Sequence, residues 1–168
     1  MSAPAGSIVD ASAALRAMPP RFHLQTDAAR PGALTWSELL VPETLRNHID
    51  AHGAGRSIDD RQVAASMFVQ GLAMHVVGTA LAAEFVHGAV LRPDDDAVWV
   101  VPGHPTVVWG VDPVRGGDGS VPGDDQVADW VEHWLVGRFG RLIDAVRATT
   151  KVGRRMLEGN VASGTLSN

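Results

Sequence analysis

The stretch that decides the fold is VAASMFVQGLAMHVVGTALAA, residues 63–83. It contains no charged residue across 21 positions, which is long enough to cross a bilayer. Ser66, Gln70, His75 and Thr79 lie within it, Ala and Gly are frequent, and basic residues do not cluster on one flank. These features favour a buried central helix over a transmembrane one, so we predict no membrane span.

Local signals upstream predict how the chain enters this helix. Thr35 and Glu38 form a T-x-x-E capping box, which marks the start of a helix. Pro42 lies a few residues later and predicts a kink or a split. Ser57 and Asp60 form a second start signal, S-x-x-D, directly before the central helix.

Downstream the pattern changes from helical to extended. Ala97–Val101 and Thr106–Val111 are rich in β-branched and aromatic residues, and a four-residue connection joins them. This pattern predicts a β-hairpin at about 97–111. Trp99 and Trp109 then lie on opposing strands, where they either pair across the hairpin or line a cleft.

The remainder of the chain is predicted to be a loop followed by helices. Asp112–Asp125 is rich in Gly, Asp and Pro, which indicates a loop. A last helix is predicted at about Thr150–Thr165. Between the two, apolar residues recur every three or four positions, which predicts a helix with one buried stripe: Val127, Val131, Leu135, Phe139, Leu142 and Val146.

These elements together predict a mainly α (α+β) fold, with one β-hairpin inserted into a helical domain. We expect a partly irregular N-terminal segment over residues 1–34 and one domain over 35–168. The chain length of 168 residues fits one domain. No secretory signal pattern opens the chain, and we expect a cytoplasmic protein.

Composition excludes several classes of function. The net charge of −5 argues against a nucleic-acid partner. The chain has no cysteine, which excludes thiol nucleophiles, disulfides and cysteine-ligated metal centres. His48 and His52 have the i, i+4 spacing of metal ligands on a helix, but no third ligand is evident. We therefore expect no metal site and no cofactor held by this chain.

The polar residues of the apolar helix are the first candidates for a site. Gln70 and His75 must find hydrogen-bond partners inside the fold or face a pocket, because a buried polar group without a partner is costly. Basic residues crowd the C-terminal quarter, and Arg147, Lys151 and Arg154 share a face if the helix is continuous. Such a row either binds an anionic ligand or is a solvated helix face.

Two stretches resemble one known family. Residues 154–163, RRMLEGNVAS, look like the R-x-L-W-G-N-V-A-S signature of the FhuF-like ferric-siderophore reductases, with Glu158 where that family has Trp. Residues 60–73, DRQVAASMFVQGLA, are similar to its R-V-A-A-S-L-L-F-Q-G-L-A stretch. Within the first motif, Gly159 permits close approach to the backbone, while Asn160 and Ser163 supply polar groups.

The resemblance implies a role in iron acquisition and a cleft that binds a ferric siderophore or a similar small molecule. The expected ligand-binding residues are Gln70, His75, Arg154, Arg155, Asn160 and Ser163, and no catalytic residue is assigned. Members of the family bind a two-iron two-sulfur cluster through a cysteine-rich tail, whereas this chain has no cysteine. Either it is a piece of a longer protein or it has lost that half.

Three functions remain open at this point. The first is binding of a ferric chelate, with reduction only if a cluster-bearing tail or a redox partner protein supplies electrons. The second is a repurposed biosynthetic enzyme that uses His75 or His133 as an acid–base group in the same cleft. The third is a protein–protein interaction module that docks through the hairpin or the Ala/Gly-rich helix.

Overall fold

A computed structural model describes residues 32–82 and 123–166, together with strand residues 89–91, 98–101, 106–109 and 114–116. Most of these residues are helical, so the predicted mainly α fold is confirmed. The predicted N-terminal segment lies outside the described residues except for its last three positions.

The first helices begin where the local signals predict. Strand β1 is Leu34–Thr35, helix α1 is Trp36–Leu39 and helix α2 is Pro42–Ala54. The capping box forms: the backbone N–H of Glu38 donates to Thr35 Oγ1 at 3.2 Å, and that of Thr35 donates to Glu38 Oε2 at 2.8 Å. Proline at the start of α2 separates the two helices, as predicted.

The central helix α3 spans Arg61–Leu81. Its N-cap is Asp60, whose Oδ1 accepts hydrogen bonds from the backbone N–H groups of Gln62 at 2.7 Å and Val63 at 3.4 Å. The prediction that Ser57 begins the helix is wrong, because Ser57 lies in the preceding turn with a φ of 56°. A carboxylate three residues later satisfies the free N–H groups instead.

Helix α3 also forms the centre of the described core. It is the one described helix long and apolar enough to cross a membrane, and 61% of its most apolar window is buried inside the protein. Its buried residues pack with α1, α2 and the C-terminal helices. The members of this cluster from α3 are Ala64, Ala65, Phe68, Val69, Leu72, Ala73, Val76, Val77 and Ala80.

Short strands follow α3, namely β2 (Ala89–Leu91), β3 (Val98–Val101), β4 (Thr106–Trp109) and β5 (Val114–Gly116). Strands β3 and β4 pair antiparallel, which confirms the predicted hairpin. Strand β1 joins the free edge of β3, so the sheet order is β1–β3–β4.

Two details of the strand region differ from the prediction. The register places Trp99 opposite Val108 and Trp109 opposite Val98, so the two tryptophans are not cross-strand partners. Strand β5 pairs with β2 and lies inside the region 112–125 that was predicted as a loop. A strand of three residues is too short for alternation to reveal it in the sequence.

The second half of the chain is a long helix with a change of geometry in the middle. Helix α4 spans Asp124–Val131, a π-helical segment spans Glu132–Phe139, and helix α5 spans Gly140–Thr149. Helix α6, Arg154–Leu166, follows after a short break. The core receives Trp130 and Trp134 from the first half of this run.

The predicted apolar stripe of this region is correct in its second half only. Phe139, Leu142 and Val146 are buried, whereas Val127 and Val131 are exposed. A π-helical segment has more residues per turn than an α-helix. The buried face therefore shifts across the segment, and a single α-helical period cannot describe both halves.

Candidate functional site

Three of the predicted site residues meet where α6 packs against α3. Gln70 Nε2 donates to Ser163 Oγ at 3.3 Å. Asn160 Nδ2 donates to the backbone carbonyl of Ser66 at 3.0 Å and also to Ser66 Oγ. Residue numbers rise together along both helices, so α3 and α6 run parallel. We call this contact the α3–α6 seam, formed by Ser66, Gln70, Asn160, Ser163 and Gly164.

A glycine sets the spacing of the seam, but it is not the predicted one. A Cβ added at Gly164 would lie 2.7 Å from the carbonyl oxygen of Gln70 and 3.0 Å from the backbone nitrogen of Met74. At Gly159 an added Cβ would meet nothing within 4 Å. Gly159 was predicted to let a neighbouring helix or a ligand approach the backbone; for the helix that role belongs to Gly164.

The seam hydrogen bonds described above are formed by Gln70, Asn160 and Ser163 and do not include His75. It lies on α3 and is partly exposed. Five residues separate it from Gln70, and an α-helix turns through about 100° per residue. The two side chains therefore leave the helix in different directions.

The two predicted arginines lie at the start of α6 and are both exposed. Arg154 bonds to Glu158 at 3.3 Å and to Asp144 of α5, and these acidic neighbours raise the pKa of its guanidinium. Arg155 forms no side-chain hydrogen bond or ion pair within the described residues. It is therefore free to contact another molecule.

Arg147 and Arg154 of the predicted basic row lie near one carboxylate, although no continuous helix connects them. The prediction that Arg147, Lys151 and Arg154 share a face required a continuous helix, whereas α5 ends at Thr149 and α6 begins at Arg154. Arg147 nevertheless lies 3.6 Å from Asp144, the carboxylate that also binds Arg154. We call Arg147, Lys151, Arg154 and Arg155 the basic cluster.

Arg138, another basic residue of the C-terminal quarter, is buried in the structure. It is 2% exposed and belongs to the π-helical segment. Its guanidinium carbon lies 4.6 Å from the ring centroid of Trp134 and 5.9 Å from that of Trp36, and Phe139 packs edge-on to Trp36 at 5.5 Å. We call Trp36, Trp134, Phe139 and Arg138 the aromatic cradle.

The sequence does contain a signal for this cradle. Trp130, Trp134 and Arg138 recur at intervals of four, which places them on one face. A long cationic side chain on a face with two indoles is the pattern of a cation–π contact. The apolar stripe from Val127 to Val146 competes with this face in the sequence, and the prediction was based on that stripe.

The histidine pair of α2 is a packing feature in this structure. His52 is 5% exposed, accepts a hydrogen bond at Nδ1 from Arg56 Nη1 at 3.1 Å, and packs edge-on to Phe68 at 5.6 Å. Burial, and then the Arg56 charge, lower the pKa of His52, and burial lowers the pKa of His48. No group of three His, Asp or Glu side chains within the described ranges is placed to hold a metal ion.

No protein-family model matches the chain, and no curated protein matches it. The resemblance of the two motifs to FhuF-like reductases therefore remains a prediction.

Proposed function

We propose that this chain is a ferric-siderophore reductase-like protein of iron acquisition that binds an anionic ferric chelate at the basic cluster. The observation that carries the proposal is the unpaired, exposed Arg155 beside Arg154 at the start of α6. Guanidinium groups form bidentate, charge-assisted hydrogen bonds with carboxylate and catecholate oxygens. Such oxygens are the donors with which siderophores hold ferric iron.

Local charge supports the same location. The basic cluster carries four positive charges, and Asp144 and Glu158 are the two carboxylates bonded to it. The whole chain is negative, with a net charge of −5. An anionic ligand is therefore attracted to this end of α6 and repelled by most of the remaining surface.

The other predicted site residues act indirectly in this proposal. Gln70, Asn160 and Ser163 form hydrogen bonds across the α3–α6 seam, and they fix α6 against the core. A fixed helix presents Arg154 and Arg155 in one orientation, which reduces the conformational entropy lost on binding.

The residues of this chain do not fit an iron–sulfur cluster, because cluster iron is held by cysteine thiolates and the chain has none. We therefore propose that the chain binds the chelate and that a separate redox partner supplies any electron. The purified chain is expected to be colourless and to release no ferrous iron from the chelate by itself.

The test is a titration with an anionic ferric tris-catecholate, followed by tryptophan fluorescence and calorimetry. We expect saturable quenching with a dissociation constant on the order of tens of micromolar. The double variant Arg154→Ala/Arg155→Ala should weaken binding by about tenfold or more, since each lost charge-assisted bond contributes roughly 1 kcal/mol.

The matched control is Arg46→Ala, which removes an exposed arginine of α2 that lies outside the basic cluster. It should bind the chelate as the unmodified chain does. Quenching that does not saturate, or equal affinity in the double variant and the control, would show that the basic cluster is not the site.

A further inference from the structure

We propose that the connection between α2 and α3 is an acid-operated hinge, in which protonation of the buried His52 moves its imidazole out of the core and opens the turn that joins the two helices. We call residues 52–60 the α2–α3 corner. No residue of the basic cluster lies on α2, on α3 or in the corner, so the proposal does not depend on chelate binding.

The imidazole of His52 cannot take a second proton without losing its hydrogen bond. Its Nδ1 lies 3.1 Å from Nη1 of Arg56. Because a guanidinium only donates, Nδ1 is the acceptor and the ring proton is on Nε2, which is buried and has no hydrogen-bond partner. A proton on Nδ1 would turn two donors and two positive charges toward each other.

No carboxylate in the described part of the chain bonds to this ring to compensate its charge. Burial, and then the charge of Arg56, lower the pKa of His52. Because a buried charge without a partner is costly, the protonated ring must reach water. Helices α1, α3 and α5 pack against α2. The other charged or titratable residues of these helices and of the corner are exposed, apart from the partly buried His48 and His75, and none bonds to the ring: Glu38, Glu43, Arg46, His48, Asp50, Asp59, Asp60, Arg61, His75, Arg141, Asp144 and Arg147.

The last turn of α2 is tightly coupled to the turn that follows it. The backbone N–H of Ile58 donates to the carbonyl of Gly53 at 2.9 Å, and that of Ser57 donates to the carbonyl of Ala54 at 3.2 Å. This pair of bonds is the Schellman closure of a helix. A Cβ added at Gly53 would lie 3.0 Å from the carbonyl oxygen of Ile58. The backbone beside His52 is therefore packed against the turn, and a movement that brings the ring to water breaks these bonds.

The same turn holds a strained residue. Ser57 has a φ of 56°, at the position of the Schellman closure where glycine is usual. A residue with a Cβ is strained in this conformation, and opening of the turn releases the strain. The strain therefore lowers the free energy that is needed to open the α2–α3 corner.

The first experiment measures amide hydrogen exchange of the unmodified chain by mass spectrometry, with rates corrected for the effect of pH on the chemical step. From about pH 7.5 to about pH 5.5, we expect the protection of Gly55 and Ile58 to fall about five- to tenfold, because an imidazole with an ordinary pKa near 6.5 gains its charge in this range.

The level of protection distinguishes a hinge from unfolding of the whole chain. Gly55 and Ile58 should be at least about tenfold less protected than Leu72 and Val76 in the middle of α3, because they exchange through a local opening. Urea at concentrations below the unfolding transition should leave the protection of the corner unchanged and reduce that of Leu72 and Val76, since only global unfolding exposes much surface.

Two variants and a matched control identify the trigger. His52→Gln keeps an acceptor for Arg56 but does not titrate, so the protection of the corner should be equal at both pH values. His48→Gln removes the other histidine of α2 and should retain the full fall. Ser57→Gly relieves the strained backbone, so it should raise the protection of the corner several-fold at both pH values and leave their ratio unchanged.

These measurements can overturn the proposal. Protection and urea dependence at Gly55 and Ile58 equal to those at Leu72 and Val76 would show that the corner opens only when the whole chain unfolds. Protection of the corner that does not change with pH in the unmodified chain, or that still falls in His52→Gln, would exclude His52 as the trigger. If His52→Gln does not fold, Arg56→Ala decides, because removal of the opposing charge should make the fall smaller.

Discussion

The α3–α6 seam and the aromatic cradle hold polar side chains in this fold in two different ways. In the seam, short amide and hydroxyl groups of two helices bond to one another, as Asn160 does to Ser66. In the cradle, the long cation of Arg138 lies against the indoles of Trp134 and Trp36. The seam is partly exposed, whereas the cradle is buried.

The α3–α6 seam depends on the spacing of two backbones, whereas the aromatic cradle depends on the packing of side chains. Short side chains reach one another only if the two helices approach closely, so the seam requires a residue without Cβ at Gly164. A guanidinium interacts with ring faces over 4 to 6 Å, so the cradle tolerates a wider backbone separation. Shortening a side chain should therefore reduce the stability of the fold most in the aromatic cradle. Enlarging a residue should reduce it most in the α3–α6 seam.

The largest expected effect is that of truncating Arg138. Arg138→Ala removes the guanidinium beside both indoles and leaves a cavity in the core. We expect the free energy of unfolding to fall by about 3–5 kcal/mol, the usual range for large-to-small changes in a core. Urea denaturation followed by far-ultraviolet circular dichroism measures this change.

The free energy of unfolding of Arg138→Lys should lie between those of the unmodified chain and Arg138→Ala, because lysine keeps the charge but not the planar group that stacks on a ring. Arg46→Ala serves as the exposed control and should change stability by less than about 0.5 kcal/mol. A loss smaller than about 1 kcal/mol in Arg138→Ala would show that the cradle does not stabilise the fold.

A pair of glycines in one helix tests the seam. In Gly164→Ala the new methyl group would overlap the backbone of α3 at Gln70 and Met74, and we expect a loss of about 1–3 kcal/mol, as for other overpacked sites. In Gly159→Ala the methyl group meets open space, and the higher helix propensity of alanine should add up to about 1 kcal/mol. Thermal unfolding of both variants separates the two effects.

The opposite signs of these two changes are the essential result. If Gly159→Ala and Gly164→Ala altered the melting temperature in the same direction, the close approach of α3 and α6 at Gly164 would be wrong. The hydrogen bonds of the seam would then need another explanation.

The sequence was sufficient to predict an element wherever its structure is determined by residues adjacent in the chain. Thr35, Pro42 and the β-branched runs of the hairpin each act on adjacent residues, and each produced the predicted element. Asp60 and Gly164 show where this reasoning ends. Ser57 and Asp60 both precede α3, and only the structure shows that Asp60 accepts its first N–H groups. Several glycines occur in the second half of the chain, and packing against α3 decides which of them permits the close approach.

The same distinction between local and long-range determinants applies to the site residues. The identity of the polar residues in the seam could be predicted, because a polar group in an apolar helix must find a partner. Their partners could not, since Asn160 and Ser66 are 94 positions apart. Arg138 was missed because the apolar stripe from Val127 to Val146 was taken as the buried face, although Trp130, Trp134 and Arg138 also recur at intervals of four. The π-helical segment moves the buried face away from the first half of that stripe.

The smallest expected effect concerns His52, which combines both kinds of contact: a polar bond to Arg56 and an edge-on ring contact with Phe68. Burial and Arg56 lower its pKa in the folded chain, while in the unfolded chain it returns to an ordinary value near 6.5. Between these two values the unfolded chain binds more protons, so acidification favours unfolding. The contribution of His52 to the free energy of unfolding should be fully present above about pH 6.5 and should decline as pH falls toward the lowered pKa of the folded state.

His52→Gln should flatten this decline and leave the part that is due to His48. Arg56→Ala should flatten it less, because burial is the larger cause of the lowered pKa. Urea unfolding at pH values from about 7.5 to 5.5 measures the slope. An unchanged slope in His52→Gln would show that this imidazole is not held neutral by its ring contact and its bond to Arg56.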